Sequence, residues 1–466
     1  MSPQIAASLL LMSLPLPTMP APPAVVTATD YQAENCVVSQ GVVESNHAGY
    51  TGSGFVNTDN VTGSWIECTV SGPATTLSVR YANGTTTNRP MSFPAGLINF
   101  PGTGAWTTWA TATVPINLGS GSQTLRLTST TANGGPNLDR ISIDNAVNDI
   151  NVSTSTELRN ALSTVQPGQT IRLAPGTYHG SFISQRAGTA SAPITLSGPR
   201  EAVLVNDGPS GTAPACPTPT PGWDPGYGLW LANAPYWNLT GFTVAESKKG
   251  LVLDNSHHVV IDGLFVHHVD DEAVHFRRSS ADGVIRNSRI ESTGLVQPGF
   301  GEGVYLGSAN SNWSCHGNSG GIDRSDRVQV IGNTIGPSVT AEHIDVKEGT
   351  QGGVIRGNTF RGTGISGQNS GDSWVDVKGN NYLLEQNTGT FAPPGTFANG
   401  YETHNPVSGY GCGNVWRSNQ SDLGGVGAYA IRITSTSACS ANPNVVYASN
   451  TVTNARTGLT NIPVTP

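Results

Sequence analysis

Two stretches of the sequence, His343-Ile-Asp-Val-Lys347 and Trp374-Val-Asp-Val-Lys378, repeat one pattern in which apolar and polar residues alternate. The same alternation occurs in looser form at residues 273–277, 303–307, 401–404 and 431–434. Successive side chains of a β-strand point to opposite faces. Each stretch therefore predicts a short strand with one buried face and one face toward solvent.

A second series of strand-like segments lies between these stretches, at residues 283–290, 327–335 and 353–360. Asn333 and Asn358 occupy equivalent places in it, 25 residues apart. Two strand families that recur at such a period are typical of a parallel β-helix, in which each coil stacks on the preceding one. We therefore predict an all-β chain with a β-helix in its C-terminal part.

Stacked coils place equivalent side chains in columns that rise by about 4.8 Å per coil. The first column on the polar face contains His275, Tyr305, Asp345, Asp376, Glu402 and Arg432. The neighbouring column contains Arg277, Gly307, Lys347, Lys378, His404 and Thr434. An ordinary solvated face does not need so many ionisable groups, and their density predicts an active-site groove.

One hypothesis for this groove makes Lys347 the general base that removes the C5 proton of a uronic acid. A lysine amine can do so if its pKa falls toward neutrality, and a neighbouring cation such as Lys378 is expected to lower it. Arg277, Lys378 or Arg432 would then neutralise the carboxylate of the substrate and stabilise the developing enolate. His275, Tyr305 and His404 complete this candidate catalytic set.

A second hypothesis makes Asp345, Asp376 and Glu402 the catalytic groups of a glycoside hydrolase. Carboxylates on adjacent coils would lie about 5 Å apart, a separation that suits a retaining mechanism. A third alternative is that the lysines and aspartates only pair their charges across coils. The protein would then be a non-catalytic glycan-binding surface protein.

The composition of the 466-residue chain favours short strands and tight turns, since only 12% of its residues are charged and 57 are glycine. This composition argues against long helices and coiled coils. The formal net charge of −8 gives no support for binding to nucleic acids or to membranes. We expect neither partner, and we expect a monomer.

The N-terminal segment predicts export. Residues 6–16 form a short apolar run, and the small residues that follow suggest a signal peptide over residues 1–28. Six cysteines, an even number, are consistent with disulfides in a secreted protein. The three pairs that we expect are Cys36–Cys68, Cys216–Cys315 and Cys412–Cys439.

The chain divides into two predicted domains. Residues 29–147 contain strand-like runs separated by turns, as in a β-sandwich. Residues 148–466 would form the β-helix, which begins with a short amphipathic helix at 155–162 that caps the open end of the stack. Inserts near 206–228, 308–324 and 388–412 would project from one side and wall a binding cleft.

The N-terminal domain resembles carbohydrate-binding modules of families 35 and 6. The matching sequence lies at residues 31–35, 48–56, 79–84, 103–109 and 136–144. The resemblance implies a jelly-roll sandwich with two sites. Gln32, Glu34 and Asp144 would surround a structural Ca²⁺. Tyr50, Trp106 and Asn137 would line the sugar site.

The C-terminal domain resembles the β-helical lyases of the chondroitinase B and alginate lyase family. The matching sequence lies at residues 341–349, 357–362 and 375–380. The resemblance implies a right-handed, single-stranded parallel β-helix in which Lys347 is the base and Lys378 the acid. It also implies Ca²⁺ at Glu342, although Thr340 stands where that family commonly has a second acidic ligand.

These observations predict a secreted two-domain enzyme that degrades a polysaccharide. β-Elimination at a uronic acid is the favoured reaction, and glycoside hydrolysis is the alternative.

Overall fold

The computed structural model describes residues 28–144, 149–317 and 321–466. The chain contains an antiparallel β-sandwich followed by a parallel β-helix. Both fold predictions are thus confirmed. The predicted signal peptide lies outside the described residues, apart from Ala28. None of the helices in the described ranges is long and apolar enough to span a membrane.

The N-terminal unit is built from a network of nine strands, which is strictly antiparallel where pairings are defined. Its strands are Ala28–Gln32, Val37–Ser39, Gly41–Glu44, Phe55–Thr58, Trp65–Ala82, Met91–Phe93, Gly96–Ile98, Ala110–Ser129 and Asn137–Asp144. A 3₁₀ turn covers Ala33–Asn35. Alternate residues of the last strand, such as Ile141 and Ile143, are fully buried and form the core of the sandwich.

The C-terminal unit consists of three parallel sheets that run along the coil stack. The first sheet contains Ile150–Val152, Thr170–Leu173, Ile194–Ser197, Trp237–Thr240, Val260–Asp262, Val284–Arg286, Gln329–Ile331, Val354–Arg356, Leu383–Glu385, Val415–Arg417 and Val445–Val446. The second contains Gly176–His179, Ala202–Val205, Thr243–Ser247, Phe265–Val269, Arg289–Glu291, Thr334–Ile335, Thr359–Arg361, Thr388–Thr390, Gln420–Asp422 and Thr451–Thr453.

The third sheet carries the two predicted columns, and we call it the groove sheet. Its strands are Ile183–Ser184, Tyr227–Ala232, Lys249–Asp254, Val274–Arg277, Val304–Leu306, Ile344–Val346, Ser373–Val377, Asn399–Thr403, Tyr429–Ile433 and Gly458–Thr460. Val346 and Val377 point into the core and are fully buried, as the alternating pattern predicts. One continuous apolar core fills the interior of the stack.

The first coil is capped by the helix Ser155–Thr164, which confirms the predicted helix at 155–162. Thr154 and Glu157 form a capping box that satisfies the free N–H groups at its start. Leu158 and Leu162 are fully buried in the core of the stack. The helix therefore shields the apolar end that an uncapped solenoid would expose.

Five buried asparagines form a ladder at the turn between the first and second sheets. This asparagine ladder contains Asn333, Asn358, Asn387, Asn419 and Asn450. Each side-chain oxygen accepts from the backbone N–H of the residue one coil earlier, as from Asn333 N to Asn358 Oδ1 at 2.9 Å. Each amide nitrogen donates to a backbone carbonyl, as from Asn358 to Val330 at 2.8 Å. The ladder thus satisfies the polar groups of a buried turn.

The inserts contain short helical turns and are held by disulfides. The turns are Pro298–Phe300, Asn310–Asn312, Trp313–His316, Gln368–Ser370 and Ser437–Cys439. Cys216 is bonded to Cys315, and Cys412 to Cys439, which confirms two predicted pairs. Cys36 and Cys68 are also disulfide-bonded.

Candidate active site

The register of the groove sheet reproduces the first predicted column. His275 is paired with Tyr305, Tyr305 with Asp345, and Asp345 with Asp376. The column continues from Asp376 through Glu402 to Arg432. Residues that lie 26 to 40 positions apart in sequence therefore become neighbours on adjacent strands.

The column is not the solvated face that the alternation suggested. Asp345 and Asp376 are each only 1% exposed. Segments that precede the strands, at 298–302 and 368–370, form one wall, and Asn369 Nδ2 joins them by donating to Gly299 O at 3.0 Å. Segments that follow the strands form the opposite wall. These segments thus convert an outer face into a groove whose charged floor has little contact with water.

Two adjoining cavities occupy this groove. The central cavity, of about 400 Å³, is lined by Glu302, Glu342, Asp345, Lys347, Asn369, Ser370, Asp376, Lys378, His404, Asn405 and Pro406. The end cavity, of about 420 Å³, includes Lys249, Glu272, His275, Arg277, Phe300, Glu302, Tyr305, Asn312, His316, Lys347 and Asn369 in its lining. Lys347 lies on both, so the two cavities meet at the proposed base.

Asp345 bridges the two lysines. Lys347 Nζ lies 2.6 Å from Asp345 Oδ2, and Lys378 Nζ lies 2.7 Å from Asp345 Oδ1. Burial acts to lower the pKa of Lys347, but the Asp345 carboxylate outweighs burial and raises that pKa. The expected lowering of this pKa by Lys378 is therefore wrong, because a carboxylate stands between the two ammonium groups.

Lys378 is held in the same way by a second aspartate, since its Nζ is 3.1 Å from Asp376 Oδ2. Although burial opposes ionisation, the Lys378 ammonium holds the pKa of Asp376 below its usual range. His404 Nε2 lies 3.2 Å from the same oxygen of Asp376. Burial lowers the pKa of His404, but its hydrogen bonds to Asp376 and Glu402 raise it to about 9.

Tyr305 and His275 form an aromatic floor beside Lys347. The Nζ atom of Lys347 lies 4.9 Å from the centroid of the Tyr305 ring. The His275 ring packs edge-on against that ring, with 4.3 Å between centroids. Burial, followed by the nearby Asp345 carboxylate, raises the pKa of Tyr305 well above its usual value. The phenol therefore keeps its proton at neutral pH.

A row of three glutamates runs beside the column, and the sequence patterns had pointed only to Glu342. Glu272, Glu302 and Glu342 each precede a column residue by three positions. The register of the following residues places Glu302 beside both others on successive coils. The recurrence of Glu three residues before His275, Tyr305 and Asp345 is the signal that would have revealed the row.

Glu302 and Glu342 are buried at 3% and 4% exposure. Burial, followed by the charges of Glu272 and Asp345, raises the pKa of Glu302 to about 8. Burial and Asp376 raise the pKa of Glu342 well above its usual value. Carboxylate oxygens of Glu302, Glu342 and Asp345 lie within 4.8 Å of one another, and Glu302 Oε2 has no hydrogen-bond partner.

This oxygen cluster fits Ca²⁺, a hard cation that prefers carboxylate ligands. Glu342 is the residue that the family resemblance assigned to the metal. Thr340 does not take part, because its hydroxyl donates to the carbonyls of Thr293 and Pro298 at 3.1 and 3.0 Å. Glu302, from the neighbouring coil, offers a second carboxylate close to that of Glu342.

The other predicted residues of the two columns lie farther from Lys347 or are paired with other groups. Arg277 binds Asp254 through two hydrogen bonds, of 2.6 and 3.1 Å, two coils before Lys347. The carboxylate of Glu402 accepts from Asn399 and lies 3.4 Å from His404. Arg432 is exposed at the far end of the column. Arg277 lines the end cavity together with Lys347, but its guanidinium is already paired with Asp254.

The predicted sugar site of the sandwich gathers around Phe55. The Tyr50 ring lies 5.9 Å from it, and Trp106 stacks on His47, which itself stacks on Phe55. Asn137 pairs with Ala82 on the adjacent strand. Gly84 lies so close to the Trp106 ring that an added Cβ would come within 2.7 Å of it.

The predicted calcium site of the sandwich is brought together only in part. Glu34 accepts from Ser53 N at 2.6 Å, and Glu34 Oε2 is buried without a hydrogen-bond partner. The hydroxyl of Thr51 lies 3.1 Å from Gln32 Oε1. These neighbouring oxygen atoms, one of them unsatisfied, fit a hard cation.

The strand register places the backbone of Asp144 away from Gln32. Its backbone pairs with Ala28, whereas Gln32 pairs with Arg140. Four residues of strand correspond to about 13 Å. Asp139 takes the expected place, since its fully buried carboxylate lies 3.0 Å from the Thr51 hydroxyl that also contacts Gln32.

Comparison with known proteins identifies the β-helix. An alginate lyase from Paenibacillus sp. str. FPU-7 has a similar solved structure, with 34% sequence identity and a TM-score of 0.57. The match covers 67% of this chain and 97% of the lyase. The chain belongs to the family of this alginate lyase. Searching with models of protein families gives no match.

The sandwich matches other proteins. It is 51% identical over 123 residues to part of the exo-β-D-glucosaminidase of Amycolatopsis orientalis, which covers 24% of this chain and 12% of that enzyme. A family 35 carbohydrate-binding module from Clostridium thermocellum is 40% identical, with a TM-score of 0.25, over 25% of this chain and 97% of the module. The chain spans only 12–20% of the length of the first curated relatives.

The protein thus combines a family 35 carbohydrate-binding module with a β-helix of an alginate lyase family.

Proposed function

We propose that this member of the alginate lyase family is a secreted lyase that cleaves a uronic-acid polysaccharide by β-elimination, with alginate as the first substrate to test. The carrying observation is the contact of Lys347 with Tyr305 in a buried groove, at 4.9 Å from nitrogen to ring centroid. Export is supported by the oxidised state of all six cysteines.

In the proposed reaction, Lys347 removes the proton at C5 of the uronic acid. The electron pair forms a C4–C5 double bond, and the glycosidic oxygen leaves from C4. Tyr305, which holds its phenol proton in the resting protein, donates that proton to the leaving oxygen. The resemblance assigned the acid role to Lys378, but this ammonium is bound to both Asp345 and Asp376. We assign it to positioning Asp345.

The raised pKa of Lys347 means that the resting protein holds it as an ammonium. An ammonium cannot accept a proton, so it must lose one before each elimination. We expect the reaction rate to rise with pH on the alkaline side of neutrality.

Glu302, Glu342 and Asp345 would hold a Ca²⁺ in the groove, and the bound ion would supply positive charge beside the carboxylate of the uronic acid. In the sandwich, Gln32, Glu34 and Asp139 would hold a structural Ca²⁺. Tyr50 and Trp106 would stack on a sugar, and Asn137 would bind its hydroxyls. The module would thereby keep the enzyme on its polymer.

A glycoside hydrolase is the second candidate, and one observation favours it. Glu302 and Asp376 both line the central cavity. The pKa of Glu302 is about 8, whereas the pKa of Asp376 is held below its usual range. Two carboxyl groups with pKa values pushed apart are the usual sign of an acid and base pair. Glu302 would then protonate the leaving oxygen, and Asp376 would activate water.

Ultraviolet absorbance separates the two reactions, because only elimination creates a conjugated unsaturated uronate. The full chain would be incubated with alginate, with and without added Ca²⁺, while absorbance and new reducing ends are measured together. Equal growth of both supports the lyase. Reducing ends without absorbance contradict the lyase and support the hydrolase, and the absence of both contradicts either enzyme on this polymer. The same assay would be run on Lys347→Ala, which removes the proposed base. Lys248→Ala, which lies outside the two cavities, is its control.

A further inference from the structure

We propose that the groove is closed at its N-terminal end, so that the enzyme works from one end of its polymer and releases short products of uniform length. This inference rests on the proposed lyase function and deepens it. Three features of the groove support it: a cover over its N-terminal end, an uncovered opposite end, and the length between that cover and the proposed base.

The ionisable residues of the column are replaced by apolar residues on the coils that precede His275. Its register partner one coil earlier is Val252, and the next is Trp230. These two side chains are 0% and 1% exposed, and with Tyr227 and Ala232 they form an apolar cluster separate from the core of the stack. The outer face of the sheet is therefore covered where the groove would otherwise continue.

The cover is the insert at 206–228. Trp223 packs edge-on against Trp230, with 5.9 Å between ring centroids. Arg278 Nη2 holds the insert by donating to Pro217 O at 2.5 Å. The disulfide between Cys216 and Cys315 joins it to the wall that lines the end cavity. We call this insert, residues 206–228, the plug. Because a ring contact, a hydrogen bond and a disulfide hold it, the plug is a fixed part of the fold.

The opposite end of the groove has no such cover among the described residues. Arg432, the column residue after Glu402, is exposed. The central cavity is bordered there by His404, Asn405 and Pro406. A polymer can therefore leave the groove in this direction only.

The distance from plug to base limits the length of the product. Three coil steps separate Val252 from Asp345, which corresponds to about 14 Å along the groove. The end cavity of about 420 Å³ fills this space. Phe300, which is 50% exposed, lines it and offers an apolar face for a sugar ring. The space suits a di- or trisaccharide at the end of a chain.

The test follows the wild-type full chain on polymannuronate and on polyguluronate. Absorbance, viscosity and product size would be measured from the first percent of reaction onward. We expect unsaturated di- or trisaccharides as the earliest products, with absorbance rising well before viscosity falls. Unsaturated products of many lengths with a rapid loss of viscosity would overturn this inference alone. A complete lack of unsaturated product would overturn it together with the lyase function.

Opening the plug should change the products. Trp223→Ala is expected to increase the fraction of early products longer than a trisaccharide several-fold. The double variant Cys216→Ser with Cys315→Ser should do the same by loosening the insert. The matched control, Cys412→Ser with Cys439→Ser, removes a disulfide that does not touch the plug and should keep the wild-type pattern. An unchanged pattern in both folded plug variants would contradict the proposed closure.

Discussion

The asparagine ladder and the ionisable column are both stacks of polar side chains on the same solenoid, yet their chemistry differs. Every ladder side chain is neutral, buried and bonded to the adjoining coils, as Asn358 is to Asn333 and Asn387. The column and its glutamate row contain charged side chains, and not all of these are satisfied. Glu302 Oε2, for example, has no hydrogen-bond partner.

The contrast shows how to tell a structural stack from a functional one. Buried polar groups stabilise a fold when all their hydrogen bonds are satisfied. Groups that stay unsatisfied or have shifted pKa values cost stability, and such groups gather where a ligand completes them. In this chain the difference separates Asn358 from Glu302, although both are almost fully buried.

The largest expected difference between the two stacks is catalytic. Lys347→Ala should lower turnover about 10²- to 10⁴-fold, which is the usual contribution of a general base. Stability should hardly change, because Lys378 still pairs with Asp345. Lys347→Arg should not restore activity, since arginine remains protonated. Turnover near the wild-type level in a folded Lys347→Ala protein would rule out the proposed base.

A charge in the column should matter for stability as well. Asp345→Asn leaves two buried ammonium groups without their shared carboxylate, and we expect a loss of about 3–5 kcal/mol, as for one partner of a buried pair. Urea unfolding measures the free energy. Asp207→Asn, whose side chain is 74% exposed, serves as the control and should lose almost nothing. Equal losses would mean that Asp345 is not held as described.

Removal of one rung tests the ladder. Asn358→Ala leaves the backbone N–H of Asn333 buried without an acceptor, which should cost about 1–3 kcal/mol. Turnover by the folded fraction should stay unchanged. Asn151→Ala, at an exposed strand position, is the matched control. A selective loss of turnover with unchanged stability would place the ladder in the site and undo the contrast.

The smallest effect concerns His404, at the edge of the column. Its pKa rises from 6.5 to about 9 on folding, because Asp376 and Glu402 accept from it. A raised pKa stabilises the fold fully below pH 6.5, and the contribution disappears as pH rises through 9. Since this side chain is 33% exposed, we expect about 1–2 kcal/mol. His404→Gln should abolish this part of the pH dependence, as thermal unfolding at several pH values would reveal.

The alternation around Asp345 and Asp376 was enough to predict the strands, their register and the inward position of Val346. This was possible because the side-chain period of a strand is two residues and stacked coils repeat it. The column pattern placed Lys347 in the predicted groove, and the family resemblance also assigned it the role of base. The capping helix followed from a local amphipathic pattern, and two disulfides from cysteine positions.

What only the tertiary structure decided is the electrostatic state of these residues. Whether Lys347 meets Lys378 or Asp345 depends on side-chain positions between coils, and this reverses the shift of its pKa. The burial of Asp345 depends on inserts that lie far away in sequence. Likewise Asp139, and not Asp144, approaches Gln32 because of strand register. The sequence alone determined the repeating backbone, since its causes are local and periodic, whereas charge, burial and groove closure arise from contacts between distant segments.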